Sequence, residues 1–213
     1  MRVLIVGAHP DDETFGMGGT LARHIAEGDE VSVLILTDGV TARGGNISYQ
    51  HQAFVGAMLS YGVKSFNHLE YKDQQLDAVP LLELVKDIEV YIRRFQPDTV
   101  YTHARTDVGQ DHRRTLEAVL VAARPAAVKN IISFPCPSSS FWGVEPFHPN
   151  LYKDVTGHLD KAIEIIETCY QHESPEYPHP RSVVAIKQRA YWLANLVGKP
   201  GQFEEFEVIR SVE

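Results

Sequence analysis

The chain reads as an α/β protein, a Rossmann-like, doubly wound and mostly parallel sheet flanked by helices. Three observations predict it. Two short apolar runs rich in β-branched residues, RVLIVGA at 2–8 and VSVLILT at 31–37, have the composition of strands buried on both faces. Between them, GMGGTLARHIAEGDE places Leu21, Ala22, Ile25 and Ala26 on one helical stripe. The same alternation of strand and helix then continues to KNIISF at 129–134.

Each element has a local signal. Gly28 stops the first helix ahead of the second strand. A helix follows over 48–60 and a short strand near 64–69, then a longer helix in PLLELVKDIEVYIRRF, whose Pro80 suits a first turn. DTVYTH at 98–103 is a strand. DHRRTLEAVLVAARP is a helix with Asp111 as N-cap and Pro125 at its end, and KNIISF is the next strand. Two Pro-rich segments, 134–150 and 173–182, read as ordered surface loops on either side of the amphipathic run GHLDKAIEIIETCYQ, and FEVIRSV supplies a last strand. No repeat, low-complexity tract or linker divides the chain, so residues 1–213 are expected to form one domain.

Lys and Arg number 20 against 28 Asp and Glu, a net charge of −8 with no basic stripe, which argues against a nucleic-acid partner. No stretch approaches the ~20 apolar residues of a membrane span. Met1 and Arg2 lead straight into a strand without the features of a signal peptide, so a cytoplasmic protein is expected. Cys136 and Cys169 lack CxxC spacing and are read as thiols without a function.

The loop GAHPDDETFG at 7–16 leaves the first strand at its carboxyl end, where open α/β sheets bind ligands. A plain alternative is that Asp11, Asp12 and Glu13 only charge the start of the following helix, at about 0.3 to 1 kcal/mol each. A dinucleotide site fails on detail, because His9 and Asp12 would stand where glycines must admit a pyrophosphate. A metal uses the residues better. His9 and Asp12 can converge on one cation, while Asp11 must point elsewhere and is left as a base. The best candidate for a third ligand is His112 in THARTDVGQDHRRT, on the same rim of the sheet, and two His with one Asp leave a position open for water.

AHPDDE after the first strand, GGT in the next helix, LTDG ending the second strand and the later DHR resemble the LmbE-like, or PIG-L, family of zinc-dependent N-deacetylases over roughly residues 1 to 120. PHPRS at 178–182 resembles one branch of it. The resemblance implies one Zn²⁺ per chain and removal of an N-acetyl group from an N-acetylglucosamine-type amino sugar or its conjugate. It implies His9, Asp12 and His112 as zinc ligands, Asp11 as general base, and Glu13 and Asp111 as residues that orient the ligands. It also implies a homo-oligomer, a trimer or hexamer. Where many members carry HPDH this chain has GQDH, so Gly109 stands in place of a histidine that helps to stabilise the oxyanion. His103 and His179 are the substitutes, with His179 preferred as the catalytic one, conceivably across a subunit boundary. His103 and Arg43 are then expected to contact substrate.

Phe141, Trp142 and Phe147 are candidates for an apolar wall against a sugar ring. His24, His51, His68, His148, His158 and His172 receive no role. Three other readings compete: cleavage of a different sugar-linked amide, a non-haem iron oxygenase built on His9, Asp11 and His112, and a sugar-binding module without catalysis. The oxygenase leaves Asp12 without a task and suits an all-β fold better.

Overall fold

Strand β1, Arg2–Gly7, shows why the sheet has two covered faces. In the computed structural model, which describes residues 1–124 and 127–212, Val3 and Ile5 join one hydrophobic cluster and Leu4 and Val6 the other. Successive strand side chains point to opposite faces, so an uninterrupted apolar run is what a doubly covered strand requires. Strand β2, Glu30–Thr37, divides in the same way, with Val33 and Ile35 on one side and Leu34 and Leu36 on the other.

The elements follow as α1 (Asp12–Ala26) between β1 and β2, then α2 (Ile47–Tyr61), β3 (Ser65–Tyr71), α3 (Leu81–Phe95), β4 (Thr99–His103), α4 (Gln110–Ala122), β5 (Asn130–Phe134), β6 (Leu151–Asp154), α5 (Leu159–Thr168), α6 (Val183–Leu196) and β7 (Phe203–Arg210). Strand order is β3-β2-β1-β4-β5-β7-β6. The pairs from β3 to β5 are parallel, and β7 runs antiparallel to both β5 and β6. The order reverses between β1 and β4, which opens a crevice at their carboxyl ends. The GAHPDDE turn and the segment from His103 to His112 both empty into that crevice.

Boundaries differ from expectation in instructive places. Helix α4 starts two residues earlier than its Asp111 cap would give: Gly109 holds the cap position, and the Asp111 side chain turns inward to accept from the Gln74 and Leu76 amides at 2.7 and 3.1 Å. Pro80 stands before α3 at its cap rather than inside the first turn. The expected stop at Pro125 lies outside the described residues. Strand β6 and helix α6 were not anticipated. LYKD is too short for a periodic signal, and α6 leaves Val184, Tyr191, Trp192 and Leu196 exposed, which blurs its buried stripe. Among the described residues no helix is long and apolar enough to cross a membrane.

Helix α1 is broken. Met17 takes φ −153° and ψ 28°, outside the helical region, and frees amides that an intact helix would bond internally. Glu204, which reaches in from β7, accepts from the Gly19 and Thr20 N–H groups, both at 2.8 Å. Gly18 lets α1 approach α5: a Cβ there would lie 2.7 Å from both the Ala162 Cβ and the Tyr61 hydroxyl. Glu204→Ala is expected to strand two shielded amides and lower the unfolding free energy by about 2 to 4 kcal/mol, read as a shift of the urea midpoint at constant slope. A loss below ~1 kcal/mol would show that the break holds without the carboxylate.

Candidate active site

The turn after β1 is tied down before any side chain enters the crevice. The Ala8 carbonyl accepts from the Thr37 N–H and hydroxyl at 2.8 and 2.9 Å, and the Ala8 N–H donates to His103 Nε2 at 2.8 Å. Asp11 then takes φ +126°, a conformation that costs a non-glycine residue about 1–3 kcal/mol. The surroundings enforce it. Its carbonyl accepts from the Thr14 and Phe15 amides, both at 2.9 Å, and its own N–H donates to Glu13 Oε2 at 3.2 Å. This backbone makes two adjacent carboxylates diverge: Asp11 Oδ2 meets Arg181 Nη2 at 2.5 Å, while Asp12 turns to the imidazoles.

His9, Asp12 and His112 come together. His9 Nδ1 is 3.1 Å from His112 Nε2 and 3.5 Å from Asp12 Oδ2, and His112 Nε2 is 3.5 Å from Asp12 Oδ1. Three ligands of a tetrahedral zinc at about 2.0–2.1 Å would stand about 3.4 Å from one another, close to these separations, of which the two to Asp12 run to different oxygens of its carboxylate. The remaining ring nitrogens meet carboxylates, as ligating imidazoles usually do. His9 Nε2 lies 3.2 Å from Asp73 Oδ1 and 3.3 Å from Asp111 Oδ2. His112 Nδ1 lies 3.1 Å from Asp107 Oδ2, too far off axis for a full hydrogen bond.

Electrostatics point the same way. Asp12, Asp73, Asp107 and Asp111 are all buried around the two imidazoles. Burial opposes the charging of His9 and His112, yet these carboxylates raise both imidazoles above the ordinary histidine value, His9 by a wide margin. Burial likewise opposes ionisation of Asp12, but His112 and the other imidazoles hold it well below the usual carboxylate range. So dense a set of buried carboxylates calls for a cation.

A second set, Asp12, His103, His112 and Cys136, also brings its donor atoms within 4.8 Å of one another. It suits an ion less well. The His103 ring is stacked on that of His112 at 4.0 Å and 7°, so their in-plane lone pairs run side by side, and His103 Nε2 already accepts from Ala8. Burial also pushes the Cys136 thiol well above its ordinary value, with Asp12 adding to the effect.

The crevice is a cavity of about 380 Å³, open to solvent and walled by His9, Asp11, Asp12, Phe15, Arg43, His112 and Arg181. Arg43 stands at the rim, forked onto Glu173 at 2.8 and 2.9 Å. The other expected contacts lie elsewhere. His103 is fully buried behind His112 and outside the cavity lining. His179 accepts from the Arg181 N–H and turns an edge to Trp142, also away from the lining. Phe141 packs against Arg189, Phe147 is buried and Trp142 faces solvent, so none forms the expected wall. Asp73, Asp107, Glu173 and Arg181 belong to the site without having been anticipated. Signals were there for three of them: Asp73 and Asp107 follow strands on the same rim, and Arg181 lies in PHPRS.

Fold and site together define an α/β protein with a histidine–carboxylate metal-type centre at the switch point of its sheet. The family model described as PIG-L, GlcNAc-PI de-N-acetylase, matches residues 4–123, and the chain belongs to that family. It is similar to the uncharacterized deacetylase YaiS of Escherichia coli (strain K12), 28% identical over 72% of this chain and 81% of that protein. It is also similar to the 1D-myo-inositol 2-acetamido-2-deoxy-alpha-D-glucopyranoside deacetylase of Geodermatophilus obscurus, 30% identical over 59% of this chain but only 55% of that enzyme. Among solved structures, the conserved protein TT1542 from Thermus thermophilus superposes with a TM-score of 0.79 at 25% identity, covering 99% of this chain and 95% of that one.

Proposed function

We propose that this chain is a zinc-dependent N-deacetylase that hydrolyses the acetamide of an N-acetylglucosamine-type amino sugar or its small conjugate. The observation that carries the reading is the convergence of His9 Nδ1 and His112 Nε2, 3.1 Å apart and each 3.5 Å from an oxygen of the Asp12 carboxylate, with the separate Asp11 carboxylate on the same cavity wall. The names of the relatives point to the same bond, an acetamide on a glucopyranoside in the Geodermatophilus enzyme.

His9, Asp12 and His112 would hold one Zn²⁺, which supplies Lewis acidity to the acetamide carbonyl and to water. The chain's own residues do the rest. Asp11 takes the proton of the attacking water as its oxygen bonds to the acetyl carbon, and returns it to the sugar nitrogen as the C–N bond breaks. Acetate and a free amine result. Asp73, Asp111 and Asp107 fix the imidazoles, and Arg43 guards the rim. With a net charge of −8 the surface suits a small soluble conjugate better than a glycolipid in an anionic bilayer. We take the working unit to be a cytoplasmic homo-oligomer, a trimer or hexamer, as the family resemblance implies.

Metal content by inductively coupled plasma mass spectrometry, paired with acetate release from N-acetylglucosamine and its inositol glycoside, tests this. About one zinc per chain and chelator-sensitive acetate release are expected. No metal after zinc reconstitution would remove the reading, and stoichiometric iron without acetate release would favour the oxygenase.

A further inference from the structure

Hydrolysis of an amide places negative charge on the former carbonyl oxygen, and the cavity is already crowded with carboxylates. A further positive group on its wall is therefore worth identifying. Gly109 cannot be its source, since it has no side chain, and a Cβ there would stand a tight 3.1 Å from Asp107 Oδ1 and 3.2 Å from the His112 ring. His103 and His179 do not line the cavity.

Apart from the two imidazoles already described, the lining holds two cations, Arg43 and Arg181. Arg43 is spent. Its terminal nitrogens donate to both oxygens of Glu173 and to the Gly39 carbonyl. Arg181 is placed differently. Its Nη2 donates to Asp11 Oδ2 at 2.5 Å, with Glu173 3.9 Å away, and among the described residues its buried Nε finds no acceptor. The guanidinium plane is fixed without using that donor, because its Cζ sits 4.2 Å from the centre of the Phe15 ring. The Arg181 N–H donates to His179 Nδ1 at 3.1 Å, which braces the backbone that presents it.

We infer that Arg181 is a catalytic residue, the cation that stabilises the oxyanion of the tetrahedral intermediate; this rests on the deacetylase reading. As water adds to the acetyl carbon and its proton passes to Asp11, the carbonyl π pair moves onto oxygen, and the guanidinium charge that Arg181 holds on the cavity wall meets it. When the pair returns, the C–N bond breaks and Asp11 gives the proton to the amine. Arg181 exchanges no proton. Its charge and orientation are set before the reaction, the condition under which such donors contribute most.

The test is steady-state acetate release from N-acetylglucosamine by zinc-loaded wild type, Arg181→Ala and Arg181→Lys across the pH profile. Arg181→Ala is expected to lower the plateau kcat about 10²- to 10³-fold, with KM within a few-fold and zinc content unchanged. Arg181→Lys should recover part of the loss, and added guanidinium should partly rescue Arg181→Ala, which a misfolded variant would not allow. Three results would overturn the inference: a rise in KM alone, a displaced acid limb with an unchanged plateau, or loss of zinc from the variant. Wild type without acetate release would remove the deacetylase reading itself, whereas active wild type with an unimpaired Arg181→Ala would remove only this role.

Discussion

His112→Ala should leave a folded chain that holds less than about a tenth of a zinc per subunit and releases acetate at least ~10³-fold more slowly than wild type. The expectation follows from the count of ligands. An open catalytic centre has three protein donors, and His9 and Asp12 alone make a weak pair. Asp12 would also lose the neighbour that does most to hold it ionised, and Asp107 its imidazole, so the cavity would keep its negative charge and lose the means to collect a cation. Mass spectrometry of metal content on both proteins decides the matter. Retention of zinc by His112→Ala would mean that another set, such as the one containing Cys136, holds the ion.

Asp11→Asn is expected to behave in the opposite way, keeping its metal while kcat falls by about 10² to 10⁴. The amide preserves size and can occupy the same backbone conformation, but it cannot accept water's proton. The contrast also separates the hydrolase from the oxygenase, which needs Asp11 as a ligand. Asp11 is turned to Arg181, whereas Asp12 lies within 3.5 Å of both imidazoles. Burial pushes the Asp11 carboxyl up to about 6, with Arg181 opposing and Asp12 adding to the rise. A general base works when deprotonated, so wild-type activity should be present above that region and fall away as the pH drops through it. That acid limb should vanish in the residual activity of Asp11→Asn. An unchanged rate would sink the assignment of Asp11 as base.

What the sequence could reveal was governed by distance along the chain. RVLIV and VSVLILT declare doubly buried strands by composition alone, and Gly28 stands at φ +80° where the first helix had to end. His9, Asp12 and His112 meet although 103 positions separate the two histidines, because a switch-point fold makes two distant strand ends neighbours. The same rule finds no residue that arrives from outside the strand ends. Arg181 reaches Asp11 across 170 positions from a Pro-rich segment, one of 20 Lys and Arg residues with nothing periodic to mark it. Glu204 is likewise hidden, since its task exists only once α1 has broken against β7. The Pro-rich segment brings no aromatic ring to the cavity lining, whereas Phe15, three residues after Asp12, reaches it from the first turn of α1 and carries the Arg181 guanidinium on its ring.

The break at Met17 separates aiming from support. The short piece that carries Asp12, Glu13 and Phe15 is positioned by the rim of the sheet, whereas the longer piece beyond it is anchored by Glu204 and by close packing against α5. Descendants of such a chain can therefore alter the rod, its length, its packing and its tolerance of heat, without redirecting the carboxylates. The seam is also a natural crossover point for recombining relatives, because a chimera joined there inherits its carboxylate-bearing turn from one parent and its scaffold from the other.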